Sequence, residues 1–244
     1  LLAPRGDPPA VSDKQAHAAW LAERKEKGQS DCTPLHLQRP LVIGCVLCNP
    51  DGLRLHSFVD RDSQNEGQVM QKVFHAIEKH QPQRVSWNGS GFDLPVLHHQ
   101  SLRHGVEASK YGDPGEDDRK CRCNNCISRH PLRHLDVMDP LAMYSPQNSA
   151  PLDEQRAAGR CVAKLCGVPG KLGLRGWQAY AQFLAHETEA VRRCCETYVM
   201  NTHLVCCRFQ KMRGGFTEAA HHQEIAFVKE TLNNLAPAKS HRYA

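Results

Sequence analysis

The stretch RVSWNGSGFDLPVL, residues 84–97, runs from a β-rich segment through a Gly-Ser-Gly turn into the start of an apolar helical face. A strand that passes through a flexible turn into a helix is a building unit of α/β sheets. Upstream, EGQVMQKVFHAIEKH, residues 66–80, sets Val69, Val73, Phe74 and Ile77 on one helical face. The short strand QRVSWN is thus reached from a helix and should enter the sheet by a crossover connection. Earlier still, RPLVIGCVLCNPDGLRLHSFVD places two β-rich runs on either side of Asn-Pro-Asp-Gly, which predicts a hairpin from about Leu41 to Val59.

Downstream, a helix is expected to about His104, and residues 105–133 are irregular, rich in Gly, Pro, acidic residues and Cys. Helical patterns follow over roughly 136–144, 153–166, 175–185, 187–213 and 217–234. Strands first and helices later, joined by one crossover, predict an α/β fold with a mixed sheet flanked by helices. Residues 1–12 form a Pro-rich lead, and residues 13–27 read as a charged surface helix ended by Gly28. No internal repeat is visible. The 244 residues suffice for a full core, and one domain is expected over 1–244. Its core spans about 35–215, with 1–30 as N-terminal lead and helix and 216–244 as C-terminal helix and tail.

Lys plus Arg number 31 against 26 Asp plus Glu, a net charge of +5 that tilts the reading towards a polyanionic partner such as nucleic acid. Apolar runs such as Leu41–Leu47 are far shorter than the ~18 residues of a membrane span, so no membrane is expected. The opening LLAPRGDPPA has no charged start followed by an apolar segment of the secretory kind. It also begins without Met, and the chain is expected to be a fragment. Of twelve cysteines, Cys45, Cys48, Cys161, Cys166, Cys195 and Cys206 sit inside helical or strand patterns, where a reduced Cys packs as a small hydrophobe. A reducing, cytoplasmic compartment is the expectation.

Asp93 carries two readings. It suits a helix N-cap, with Pro95 in the first turn and Leu94, Val96 and Leu97 opening the apolar face. It also suits a metal ligand, because a carboxylate at a strand end beside a Gly-rich turn can hold a divalent ion on a phosphate. One carboxylate is insufficient for two-metal phosphodiester hydrolysis, which needs several acids around ions roughly 4 Å apart.

The segment VSWNGSGFDLPVLHHQSLRHGV resembles the second motif of the predicted 3′-to-5′ exonucleases related to the proofreading domain of family B DNA polymerases. DCTPLHLQRPLVIGCVL, RHLDVMDPLAMY, APLDE, LCGVPGKLG and CCETYVMNTHLVCCRFQKMRGG agree with it in the same order, so the resemblance runs from about residue 12 to 215. It implies an RNase H-like fold, a four-carboxylate site for two Mg²⁺ or Mn²⁺ ions, and cleavage at nucleic-acid 3′ ends. The family's first motif, Asp-x-Glu on the central strand, has no counterpart: Asp7, Asp13, Glu23, Glu26 and Asp31 lie in loop or surface-helix contexts. The sheet is therefore expected to lack its first, central strand.

The resemblance assigns the second-motif metal ligand to Asp93. Against the third motif, Tyr-Cys-Glu-Thr-Asp, this chain reads CCETY, so Cys194 stands at the Tyr position and Tyr198 at the Asp position. Both share one helical face, being four apart. Glu196 points about 200° away from Tyr198, towards solvent or a neighbour. Tyr198 also fits a packing stripe with Val191, Cys195, Thr202, Val205, Phe209 and Met212. An enzyme with impaired activity and a non-catalytic nucleic-acid-binding module are the two readings this leaves.

Other candidates surround this frame. Asn88 and Phe92 flank Asp93 on the turn, where they could meet phosphate, sugar or a terminal base, whereas Trp87 is expected to be buried. Lys171 and Arg175, in and after GVPGKLG, are candidates for backbone contact; a solvated loop lysine is the competing reading. Asp136 and Asp139 read as helix-start residues, Asp136 being the better candidate for an accessory role. Cys121, Cys123, Cys126 and His130 offer zinc-type donors, but the Cys-x-Cys spacing is tight and no second pair follows, so zinc is not expected.

Overall fold

A computed structural model describes residues 13–28, 33–60, 66–112, 133–153, 161–170, 179–185 and 187–235. Its strands are β1 (Val42–Asn49), β2 (Gly52–Val59), β3 (Arg84–Ser86) and β4 (His134–Asp136). Its helices are α1 (Asp13–Glu26), α2 (Glu66–His80), α3 (Asp93–His104), α4 (Ser109–Gly112), α5 (Met138–Leu141), α6 (Val162–Leu165), α7 (Ala179–Leu184), α8 (Thr188–Met212) and α9 (Glu218–Leu235). The architecture is mixed α/β, a small sheet flanked by helices, consistent with an RNase H-like fold.

The predicted hairpin forms, with antiparallel register from Val42 opposite Val59 to Asn49 opposite Gly52. The Asn49 side chain accepts the Asp51 backbone N–H at 3.0 Å, the Asx geometry that makes Asn-Pro-Asp-Gly reverse the chain. After α2 the chain enters β3, which pairs in parallel with β4, Ser86 opposite Asp136. The pairs β1–β2 and β3–β4 are not hydrogen-bonded to each other. The long helix α8 bridges them, packing against β1, β2 and β3.

The segment read as a helix over 136–144 opens instead as a strand, and its helix shrinks to Met138–Leu141. Three residues carry too little periodicity to betray a strand, and parallel pairing with β3 decides the matter. Met143 and Tyr144, at φ +52° and +56°, end the short helix abruptly. Within the stretches read as helical over 153–166 and 175–185, the described helices are only α6 and α7. Asp153 lies in a bend rather than a helix.

Trp87, Val137, Leu152, Ala163, Val205 and Phe209 form a core under the end of the β3–β4 pair. Leu53, Met200 and Val228 join the hairpin to α8 and α9. Val69, Met70, Val73 and Phe74 are buried on α2, as its apolar face requires. Along α8 the stripe holds through Val191, Thr202, Val205 and Phe209, but Met212 at the helix end is 69% exposed. Glu196 is buried, where it accepts a hydrogen bond from Ser57 on β2 at 3.0 Å and pairs with Arg192. It serves the neighbour rather than solvent. Asp60, at the end of the hairpin, is fully buried and pairs with Arg39 at 2.8 Å.

Candidate active site

The turn between β3 and α3 is fixed by close approaches. A Cβ on Gly89 would stand 2.3 Å from Ser86 Oγ, and one on Gly91 2.4 Å from Asn88 Oδ1. Ser86 Cβ, 2.5 Å from the first of these points, leaves room only for glycine at 89, whereas a side chain at 91 would turn the Asn88 amide aside. Asn88 itself sits at φ +59°, a region Asn tolerates better than most residues. Asp136, at the end of β4 and buried, accepts the backbone N–H of Asn88 at 2.7 Å and of Ser90 at 2.8 Å, one on each carboxylate oxygen. Two charge-assisted bonds from one side chain hold the turn that delivers Asp93.

Asp93 is the first residue of α3, and the cap position belongs to Phe92, which makes no side-chain cap bond. The N-cap reading of Asp93 therefore moves one residue back and loses its side-chain bond. Protein crowding pushes the Asp93 carboxyl up to about 6; its own backbone N–H lowers it and the Asp136 charge adds to the rise. The residue still keeps a solvent-exposed face, so water and ions reach it.

From the other side α8 presents Tyr198. Burial holds its phenol protonated, above the ordinary tyrosine range, and the charges of Asp93, Asp153 and Asp136 act in the same direction. These three aspartates, from three separate segments, thus all act on one hydroxyl. Tyr198 also packs against the core around Trp87 and Val205. Cys195 joins the cluster: burial raises its thiol to about 11, the Gly44 backbone opposes this, and the Asp93 charge adds to it. Its Sγ lies 3.0 Å from where a Cβ on Gly44 would be. Cys194, by comparison, is half-buried next door.

The assembly of Asp93, Asp136 and Asp153 goes beyond what local patterns indicated. Asp153 belongs to APLDE, which the resemblance covers, and that shared motif is the signal that could have singled it out. Among the described residues, the aspartates are not a set whose donor atoms come within 4.8 Å of one another; Cys48, His203 and Glu224 are. Asp139 is separate in role: burial raises its carboxyl, and Asp136 adds to the shift. Phe92 is 45% exposed, Asn88 is half-buried, and Trp87 is buried. Lys171, Arg175, Cys121, Cys123, Cys126 and His130 lie outside the described residues.

An acid with a raised pKa binds its proton more tightly folded than unfolded, so through Asp93 stability is lost as pH rises from about 4 to about 6. Asp93→Asn removes that charge. It should be more stable than the unmodified chain at pH 8, by about 1 kcal/mol after discounting for the solvent-facing side, and no more stable near pH 4. Thermal unfolding at both pH values measures it; the same gain at each would reject the linkage.

A family model described as predicted 3′-5′ exonuclease related to the exonuclease domain of PolB matches residues 30–244. No curated protein and no solved structure matches the chain.

Proposed function

The chain belongs to the predicted 3′-5′ exonucleases related to the exonuclease domain of PolB, and from that premise we propose that it is a nucleic-acid-binding exonuclease-like domain whose phosphodiester cleavage is impaired. Membership implies a nucleic-acid substrate and, in general, dependence on a divalent metal. The observation that carries the proposal is Tyr198: a phenol held protonated within reach of the Asp93 charge stands where the resemblance calls for a carboxylate.

Two further observations support it. Asp136 uses a lone pair of each oxygen on the Asn88 and Ser90 amides, so it anchors the turn and cannot swing away from it towards a metal without giving up those bonds. The donors present therefore do not fit a site for two Mg²⁺ or Mn²⁺ ions, and Asp93 is the one aspartate here combining solvent access with the second-motif position. Binding asks less of the site than cleavage does. Phe92, 45% exposed beside Asp93, can stack on a terminal base, Asn88 can bond to phosphate or sugar, and Lys171 and Arg175 can contact the backbone. The net charge of +5 favours such a partner, and the proposed setting is cytoplasmic. Among the described residues no helix is long and apolar enough to cross a membrane.

The test is a labelled oligonucleotide incubated with Mn²⁺ and the unmodified chain, Asp93→Ala or Tyr198→Asp, read for both retention and shortening. Salt-sensitive retention with slow or no shortening is expected, since phosphate contacts release counterions. Efficient shortening abolished by Asp93→Ala would refute impaired cleavage, and absence of retention in low salt would refute binding. If retention is unchanged in Asp93→Ala while shortening never occurs, the wholly non-catalytic form of the reading holds.

A further inference from the structure

Away from the aspartates, β1, α8 and α9 bring together a second set of donors. Cys48 comes from the end of β1, His203 and Cys207 from α8, and Glu224 from α9. Cys48 Sγ donates to Glu224 Oε2 at 3.0 Å, His203 Nε2 lies 3.5 Å from the same oxygen, and Cys207 Sγ lies 3.6 Å from His203 Nε2. The Cys48, His203 and Glu224 donor atoms are all within 4.8 Å of one another. His203 and Cys207 are four apart, hence on one helical face.

We infer that Cys48, His203 and Glu224, joined by a shift of the Cys207 side chain that lies against His203, form a binding site for one thiophilic divalent ion of the zinc class, a structural clip between the hairpin and the two C-terminal helices. Four donors of sulfur, nitrogen and oxygen are the set such an ion takes in closed sites. Tetrahedral bonds of about 2.0–2.3 Å put neighbouring donors roughly 3.4–3.7 Å apart. The His203–Glu224 and His203–Cys207 contacts already have that separation, the Cys48–Glu224 hydrogen bond must open by roughly half an ångström, and the Cys207 side chain must turn in towards Cys48 and Glu224.

Burial raises the Cys48 and Cys207 thiols to about 12 each, with Glu224 adding to both, so the ion must displace protons that the fold holds tightly; burial lowers His203, against the pull of Glu224, which favours the neutral imidazole that ligates. When the ion binds, each thiol gives its proton to the solvent and the Cys48–Glu224 hydrogen bond is exchanged for two metal bonds. The site borders the Leu53, Met200 and Val228 core, and Thr231 on α9 also bonds to the Leu53 carbonyl at 3.0 Å. A metal there would lock contacts that packing has already made. Zinc is not expected on the Cys121–His130 loop, where the spacing is tight and no second pair follows; here the donors come from three separate elements and meet only in the fold.

The site is independent of the proposed nuclease reading, and its test does not use activity. The purified chain, dialysed against zinc and then against metal-free buffer, is analysed for bound metal, and Co²⁺ is titrated into the metal-free chain while thiolate-to-metal charge-transfer absorption is followed. One equivalent of zinc and a Co²⁺ spectrum of a two-thiolate site are expected, unchanged in Asp93→Asn and in the combined Cys121→Ser, Cys123→Ser and Cys126→Ser variant. Cys48→Ser with Cys207→Ser should lose the equivalent. His203→Gln and Glu224→Gln, milder changes, should each weaken zinc at least tenfold in competition with a chromophoric chelator while circular dichroism shows the fold retained. No stoichiometric zinc in the unmodified chain overturns the site, as does zinc kept by the double thiol variant or lost with the three loop cysteines.

Discussion

Asp136→Ala should lower the unfolding free energy by about 3–5 kcal/mol, the cost of stranding two amides that now bond to one carboxylate. Each bond, 2.7 Å from Asn88 and 2.8 Å from Ser90, has a charged acceptor. Such bonds contribute roughly 1.5–3 kcal/mol apiece, with the smaller loss at exposed Ser90, where water can take over part of the role. The glycines cannot compensate, because Gly89 and Gly91 are hemmed in by Ser86 and Asn88. Asp136→Asn keeps one acceptor oxygen and should cost about half as much. Urea unfolding midpoints at constant slope measure both; a loss below about 1 kcal/mol for the alanine variant would show that the turn holds without its anchor. Because α3 starts at Asp93, loosening the turn also frees the carboxylate on which any metal chemistry depends.

How far this could be read from the chain itself varies by element. The hairpin was legible because Asn49-Pro50-Asp51-Gly52 has one economical conformation, and α2 because its apolar residues repeat at helical spacing. The strand β4 was not, since three residues, HLD, fall below any period and resemble a helix start. That error carried into the site: read as a helix-start residue, Asp136 was weighed for capping, whereas as a strand-end residue it reaches across to the Asn88–Ser90 turn. The convergence of Asp153 on Tyr198 is likewise tertiary. On α8 the helical angle located Tyr198 and Glu196 usefully. It also paired Cys194 with Tyr198, while the thiol that couples to Asp93 is that of Cys195 on the packing stripe. Spacing along a helix fixes a face; which neighbour meets that face is decided by the sheet.

Tyr198→Asp should be the most damaging single change on α8, destabilising by about 4 kcal/mol at pH 8. Loss of a packed aromatic accounts for about 3 kcal/mol of this. The rest is repulsion, for the new carboxylate would stand among Asp93, Asp136 and Asp153, whose charges already act on this position. Tyr198→Asn separates the two contributions, losing the ring without adding charge. The aspartate variant should fall below the asparagine variant by about 1 kcal/mol at pH 8 and draw level near pH 5, where raised carboxyls begin to protonate. Mn²⁺ should then restore stability to Tyr198→Asp and leave Tyr198→Asn and the unmodified chain unmoved. Thermal unfolding with and without Mn²⁺ at both pH values reads all of these together. Equal stabilisation of the asparagine variant would mean that position 198 does not limit metal binding. Stabilisation confined to the aspartate variant would instead place the limit on metal binding in the phenol, a single side chain that keeps the helix packed while offering no carboxylate where the resemblance calls for one.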